Sequence, residues 1–246
     1  MRFDVLTLFP DIFSGFLRES LLKQAIDKRI IEVQLHDFRR WTHDRHNTVD
    51  DRPFGGGPGM ALMPGPLIDC VEEIQDYCET PAHLLMMTPQ GHPLKQTDVE
   101  RYAQMPRLAL LCGRYEGFDE RISQILQPEE VSLGDFVLNG GETAAMAIIE
   151  ATSRLIPGVL GDEMSCVTDS FSSGNRLLEG PTYTRPRVYR GLEVPEILLN
   201  GNHGAIDQWR WRQAVERTQQ RRPDLITEEI QKQIDDANKP KRRKKK

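Results

Sequence analysis

Apolar residues in this chain fall into two alternating kinds of stretch. Short runs at residues 3–9 (FDVLTLF), 31–36 (IEVQLH), 84–87 (LLMM), 108–112 (LALLC) and 131–133 (VSL) have the length of strands, and the last three stop at glycine or at Thr-Pro-Gln-Gly. Elsewhere apolar residues return every three or four positions. They do so at Ile12, Phe13, Phe16, Leu17, Leu21, Ala25 and Ile26 after Pro10-Asp11, and again over residues 67–77, 99–105, 118–126 and 142–155. Parallel neighbours need a crossover between them, so this order predicts an α/β domain with a five-stranded parallel sheet.

The glycine-bounded ends of the runs locate a candidate site. In open α/β sheets ligands lie outside the carboxyl ends of the strands, where glycine lets backbone approach the ligand. Three such loops, at residues 88–90, 113–116 and 132–141, predict the floor of one pocket. Glu142 follows in the first turn of a helix, where a carboxylate suits the exposed backbone donors. Residues 38–66 break all pattern around Gly55-Gly56-Gly57-Pro58-Gly59, and so long an irregular segment is usually functional or mobile. No Lys-Ser/Thr follows these glycines, which excludes a nucleoside-triphosphate loop. His43, His46, Asp50 and Asp51 share the segment, but without a helix to present them they read as solvated loop residues.

The helix at residues 142–155 (ETAAMAIIEATSRL) is apolar around most of its circumference, which predicts burial on more than one face and makes it a natural subunit interface. Residues 158–174 are small, polar and pattern-poor, and mark a linker. Beyond it, TYTRPRVYR alternates aromatic and basic residues, as contact with exposed RNA bases and phosphates requires. Over residues 205–222 a helix carries Arg210, Arg217 and Arg221 near one angular position, with Trp209 and Trp211 on opposite sides.

Composition narrows the function classes. The chain has 246 residues and 38% hydrophobic content, enough for a full core and a smaller second unit. No apolar run approaches a membrane span, and the amino end reads as a strand carrying Asp4, so a cytoplasmic protein is expected. Cys70, Cys78, Cys112 and Cys166 fit no close metal-ligand spacing and are expected as reduced thiols, without structural zinc. Net charge is −5, yet the ending KPKRRKKK holds seven of the 32 basic residues, so 25 remain against 37 acidic ones in the body. Any RNA surface must therefore come from local arginine clusters, with the lysine-rich tail, expected to be disordered, adding salt-sensitive attraction.

The motifs GRYEGFDERI and SLGDFVLNGGE, with LTLFPDIF, RPFGGGPGM and VTDSFSSG, resemble the bacterial tRNA (guanine-N(1)-)-methyltransferase family of the SPOUT class. The resemblance covers nearly all but the last twenty or so residues. It implies a SPOUT methyltransferase domain at residues 1–160 with a deep trefoil knot, a flexible linker at 161–174, a small helical tRNA-binding domain at 175–236 and a tail at 237–246. It implies methyl transfer from S-adenosyl-L-methionine to nitrogen 1 of guanosine 37, next to the tRNA anticodon, by a homodimer whose sites are shared between subunits. A ribose methyltransferase of the same class and a noncatalytic RNA-binding protein are the alternatives.

The donor is then expected against Thr88, Pro89, Gly113, Tyr115, Glu116, Ser132, Leu133, Gly134, Asp135, Phe136, Val137, Leu138, Gly140 and Gly141. The tRNA is expected against Asp50, Arg52, Gly55, Gly57, Gly59, Ser170, Arg185 and Arg210. The guanine nitrogen carries a proton, so the reaction needs a general base, and Asp169 matches the family's aspartate. Charge left on the purine oxygen needs a cation, for which Arg154 is the candidate. The resemblance also allows a magnesium ion beside Glu116, although one carboxylate demands no metal.

Overall fold

A computed structural model describes residues 1–161, 165–172 and 176–238, which divide into two compact units, Met1–Glu163 and Met164–Lys246. The first unit is built on strands β1 (Arg2–Leu6) and β2 (Glu32–His36), a two-residue hairpin of β3 (Asp50–Asp51) and β4 (Ala61–Leu62), and then β5 (His83–Pro93), β6 (Arg107–Cys112) and β7 (Glu129–Ser132). Its helices are α1 (Ser20–Asp27), α2 (Pro64–Asp76), α3 (Gln96–Tyr102), α4 (Glu120–Leu126) and α5 (Glu142–Ser153). The five-stranded sheet has the order β2-β1-β6-β5-β7, and every pairing is parallel.

Alternation along the strands sorts the core into two layers. Phe3, Val5, Leu85, Met87, Leu108, Leu110 and Cys112 face α1, α3 and α5, where Ala25, Tyr102, Ala145, Ile148 and Ile149 meet them. Leu6, Met86, Ala109 and Leu111 face α2 and α4, against Leu67, Val71, Ile74 and Ile122. All six residues of β6 are buried, which explains the unbroken apolar run at residues 108–112. Truncating a core residue such as Leu110 to alanine costs about 2–5 kcal/mol through lost burial and the cavity left behind.

At the amino edge of the sheet Asp4 is fully buried and is held by Arg107 Nε at 2.8 Å, by His36 Nε2 at 2.8 Å and by Arg2. Burial works to raise the Asp4 pKa, but hydrogen bonds from His36, Arg2 and Arg107 overcome it and hold the carboxylate well below its usual range. Arg107 also donates to the Ile74 and Thr80 carbonyls, so a single buried ion pair joins β1, β6 and the end of α2.

Two expectations needed correction. The helix expected from Pro10 is instead two 3-10 turns, Pro10–Phe13 and Phe16–Arg18, before α1 begins. Ser20 takes φ +59, which no continuous helix allows, so the apolar spacing was satisfied by three short pieces. The segment 38–66 is not structureless either: it holds a 3-10 turn, Phe38–Trp41, and the β3–β4 hairpin.

In the second unit a short helix, α6 (Ser165–Thr168), precedes the hairpin of β8 (Val188–Tyr189) and β9 (Leu192–Glu193), and then α7 (His203–Arg221) and α8 (Glu228–Asn238). Asn202 caps α7 by accepting the Ala205 amide. Leu177, Ala214, Val215, Ile230 and Ile234 form a small core, with Trp211 packed against it and Trp209 instead meeting Tyr183. The lysine-rich tail from Lys239 lies outside the described residues.

Candidate active site

Strands β6, β5 and β7 are neighbours in the sheet, so the loops that leave their carboxyl ends converge. They enclose a cleft of about 340 Å³ lined by Thr88, Pro89, Gln90, Gly113, Tyr115, Glu116, Ser132, Leu133, Phe136, Val137, Leu138, Gly140 and Gly141. Twelve of the fourteen residues expected at the donor site are in that wall. Gly134 and Asp135 are not; Gly134 turns away at φ +151, with its amide bonded to Ser132 Oγ at 3.2 Å. Glu120, Ser123 and Glu130 also line the cleft and were missed, because their polar spacing resembles that of any solvated helix or strand; Arg114 and Asn139 fall within the expected loops but were not named as contacts.

Each loop has a distinct origin. Met87 and His92 both pair with Val131, so residues 88–91 bulge out of β5 while the strand resumes its register beyond them. Tyr115 holds φ +60 and leaves its ring half-exposed at the rim. Gly140 and Gly141 lack positive φ; they are needed for close approach. A Cβ on Gly141 would stand 2.8 Å from Cys112 Cα and 2.9 Å from Met87 Cβ, and the Gly141 amide donates to the Gly113 carbonyl at 2.9 Å. A Cβ on Gly113 would meet the Phe118 ring at 2.7 Å. The expectation that these glycines make room for ligand is thus revised: they make room for the protein's own backbone and side chains. Cys112, beside them, is fully buried, and desolvation raises its thiol pKa far above the ordinary value, so it is no nucleophile.

Glu142, at the head of α5, is 1% exposed. Its Oε1 accepts from Thr7 Oγ1 at 2.8 Å and Arg114 Nε at 3.1 Å, and its Oε2 lies 3.0 Å from Arg114 Nη2. Arg114 Nη1 reaches the Asn139 carbonyl at 3.4 Å, and its guanidinium lies 4.5 Å from the centre of the Phe9 ring.

The glycine-rich segment approaches the same cleft. Gly55, Gly57 and Gly59 take φ +88, +124 and +82, a region that requires glycine. Glu116 donates its amide to the Met60 carbonyl, and its side chain lies where a Cβ on Gly59 would be. Asp50 stands in β3 half-buried and Arg52 is exposed. Arg154 is the C-terminal cap of α5, half-buried. In the second unit Asp169 and Ser170 are half-buried after α6, with Ser170 Oγ accepting the Glu179 amide; Arg185 and Arg210 are exposed.

Among the described residues, His92, Asp98 and Glu129 place ligand-type atoms within 4.8 Å of one another. Glu129 is already engaged by Arg101, by His83 at 2.6 Å and by Tyr102 at 2.7 Å, so this cluster is a hydrogen-bond network. No described helix is long and apolar enough to cross a membrane.

A parallel sheet with three loops closing one cleft at its carboxyl edge defines an α/β protein of the class that seats a nucleotide-like ligand there. The family model for tRNA (Guanine-1)-methyltransferase TrmD matches residues 1–228. The chain is 54% identical over 240 residues to a tRNA (guanine-N(1)-)-methyltransferase of Rhodopirellula baltica, covering 97% of this chain and 99% of that protein. It is 51% identical over 228 residues to the protein of that name from Geobacillus kaustophilus, covering 93% and 92%. The chain belongs to the tRNA (guanine-N(1)-)-methyltransferase family. It is an enzyme that methylates nitrogen 1 of guanine in tRNA.

Proposed function

We propose that the cleft at the ends of β5, β6 and β7 holds S-adenosyl-L-methionine and that the acceptor is guanosine 37, beside the anticodon. The observation that carries this reading is the convergence of three loops on a single cleft of about 340 Å³, within the roughly 300–1,000 Å³ of small-molecule sites. Leu133, Leu138 and Pro89 offer apolar wall for a purine, and Gly140 lines the same cleft. When bound, the donor supplies an electrophilic methyl group. The chain's own task is to fix that ligand, because orientation of the two reactants supplies much of the barrier reduction.

Asp169 is the general base that takes the proton from nitrogen 1, and Arg154 stabilises the negative charge left on the purine oxygen. Asp50, Arg52, Gly55, Gly57, Gly59, Ser170, Arg185 and Arg210 contact the tRNA, whose loop nucleotides expose a pairing edge at little cost. The architecture we infer is that implied by family membership: a methyltransferase domain at 1–160 with a trefoil knot, a linker at 161–174, a tRNA-binding domain at 175–236 and a basic tail at 237–246. The enzyme acts in the cytoplasm as a homodimer with shared sites. What supports a dimer is that Ala147 and Ala151 of α5 are apolar yet remain partly exposed. Glu116 supplies one carboxylate towards a magnesium ion, so such an ion would need oxygens from the substrate.

Incubation with methyl-labelled donor and unmodified tRNA, followed by nucleoside mapping, tests the reading. Label on nitrogen 1 of guanosine 37 is expected. Label on a ribose, or at another guanosine, would overturn the assignment of the acceptor.

A further inference from the structure

Glu142 and Arg114 form an ion pair that the chemistry above does not use. The carboxylate is almost wholly withdrawn from solvent, and a buried charge persists only where partners replace its hydration. Those partners come from two separate places: Thr7 at the end of β1 and Arg114 in the loop after β6. Through Asn139 the guanidinium also reaches the loop after β7, and Arg114 pairs with Gly140 through an isolated antiparallel bridge. Gly140 fits beneath this pair only because it has no side chain, since a Cβ there would overlap the Arg114 side chain, its Cδ at 2.7 Å.

We infer that Glu142 and Arg114 are positioning residues for donor binding, a buried clamp that holds the loops after β6 and β7 at the spacing the cleft requires. This rests on the donor site proposed above. Arg114 spends its nitrogens on Glu142 and the Asn139 carbonyl, and Phe9 covers its face, so its role is to set loop geometry. Nε donates to Glu142 Oε1 while Nη1 reaches the Asn139 carbonyl, a spread that needs the planar guanidinium, and lysine cannot span Glu142 and Asn139 together.

The test measures S-adenosyl-L-methionine affinity by calorimetry on Glu142→Gln, Arg114→Lys and Arg114→Ala in the full-length protein, with thermal unfolding and tRNA affinity alongside. Donor Kd is expected to rise at least tenfold in Arg114→Ala, less in Arg114→Lys, while tRNA Kd stays within about threefold. Single-turnover methylation at saturating donor should be largely restored, because the chemical step is untouched. Combining Glu142→Gln with Arg114→Ala should weaken donor binding no more than Arg114→Ala alone, since each removes the same clamp. A folded Arg114→Ala protein with wild-type donor affinity would overturn the inference, as would additive losses. Should Arg114→Ala fail to fold, Glu142→Gln and Arg114→Lys decide by the same measures. Failure of the wild-type protein to bind the donor would instead overturn the placement of the donor site.

Discussion

The Gly141 amide donates to the Gly113 carbonyl at 2.9 Å, so the loop that follows β7 is bonded directly to the end of β6. With no room for a Cβ between Cys112 and Met87, Gly141→Ala should push the loops apart. Overpacking of this kind costs about 1–3 kcal/mol. Urea unfolding should show that loss and calorimetry a parallel loss of donor affinity, whereas Gly65→Ala, which meets open space, should leave donor affinity unchanged.

A general base acts in the transition state, so its removal should slow chemistry and spare binding. Asp169→Ala is expected to lose about 10²- to 10⁴-fold in single-turnover rate with donor Kd nearly unchanged. Its residual rate should climb with pH, because hydroxide can deprotonate the guanine in its place. Arg154→Ala should lose rate without alkaline rescue, since its task is to hold charge. Near wild-type turnover by Asp169→Ala at neutral pH would remove Asp169 from the mechanism.

If sites are shared between subunits, two inactive variants should complement each other. Mixing Asp169→Ala with Gly141→Val, and allowing subunits to exchange, should restore activity through heterodimers that contain one intact site. Confirmed exchange without recovered activity would favour sites built within a single chain.

Acid should loosen the first unit through Glu129. Burial raises its pKa, but hydrogen bonds from Arg101, His83 and Tyr102 outweigh that and bring it down to about 2 from an ordinary 4.5. A carboxylate depressed on folding contributes stability that is complete above its unfolded pKa and lost as pH falls through the folded one. The urea midpoint is therefore expected to fall between about pH 4.5 and pH 2. Tyr102→Phe removes one of the three donors and should flatten that slope; an unchanged slope would mean that Glu129 does not govern it.

The parallel sheet could be read from the chain because burial on both faces leaves uncharged runs, as at residues 108–112 of β6, and because each run ended where a loop began. The three loops that line the cleft were legible for the same reason. Less visible was why their glycines are there. Gly55, Gly57 and Gly59 need positive φ, while Gly113, Gly140 and Gly141 need space, and a sequence spells both with one letter. The pairing of Arg114 with Glu142 was hidden because it spans 28 positions, with α4 and β7 between them, beyond the reach of any local spacing. The turns before α1 were misread as one helix because apolar periodicity does not register a single residue such as Ser20 at φ +59.

The double pairing of Val131 gives the cleft a replaceable wall. Because Met87 and His92 anchor the bulge at the same point of β7, the residues between them can change while the sheet keeps its alignment on either side. Gly91 is fixed, since a Cβ there would meet the Glu130 and Val131 backbone. Thr88 braces the bulge by accepting the Gln90 amide at 3.3 Å, which leaves Pro89 and Gln90 as the side chains through which the cleft wall could be recut for a bulkier ligand.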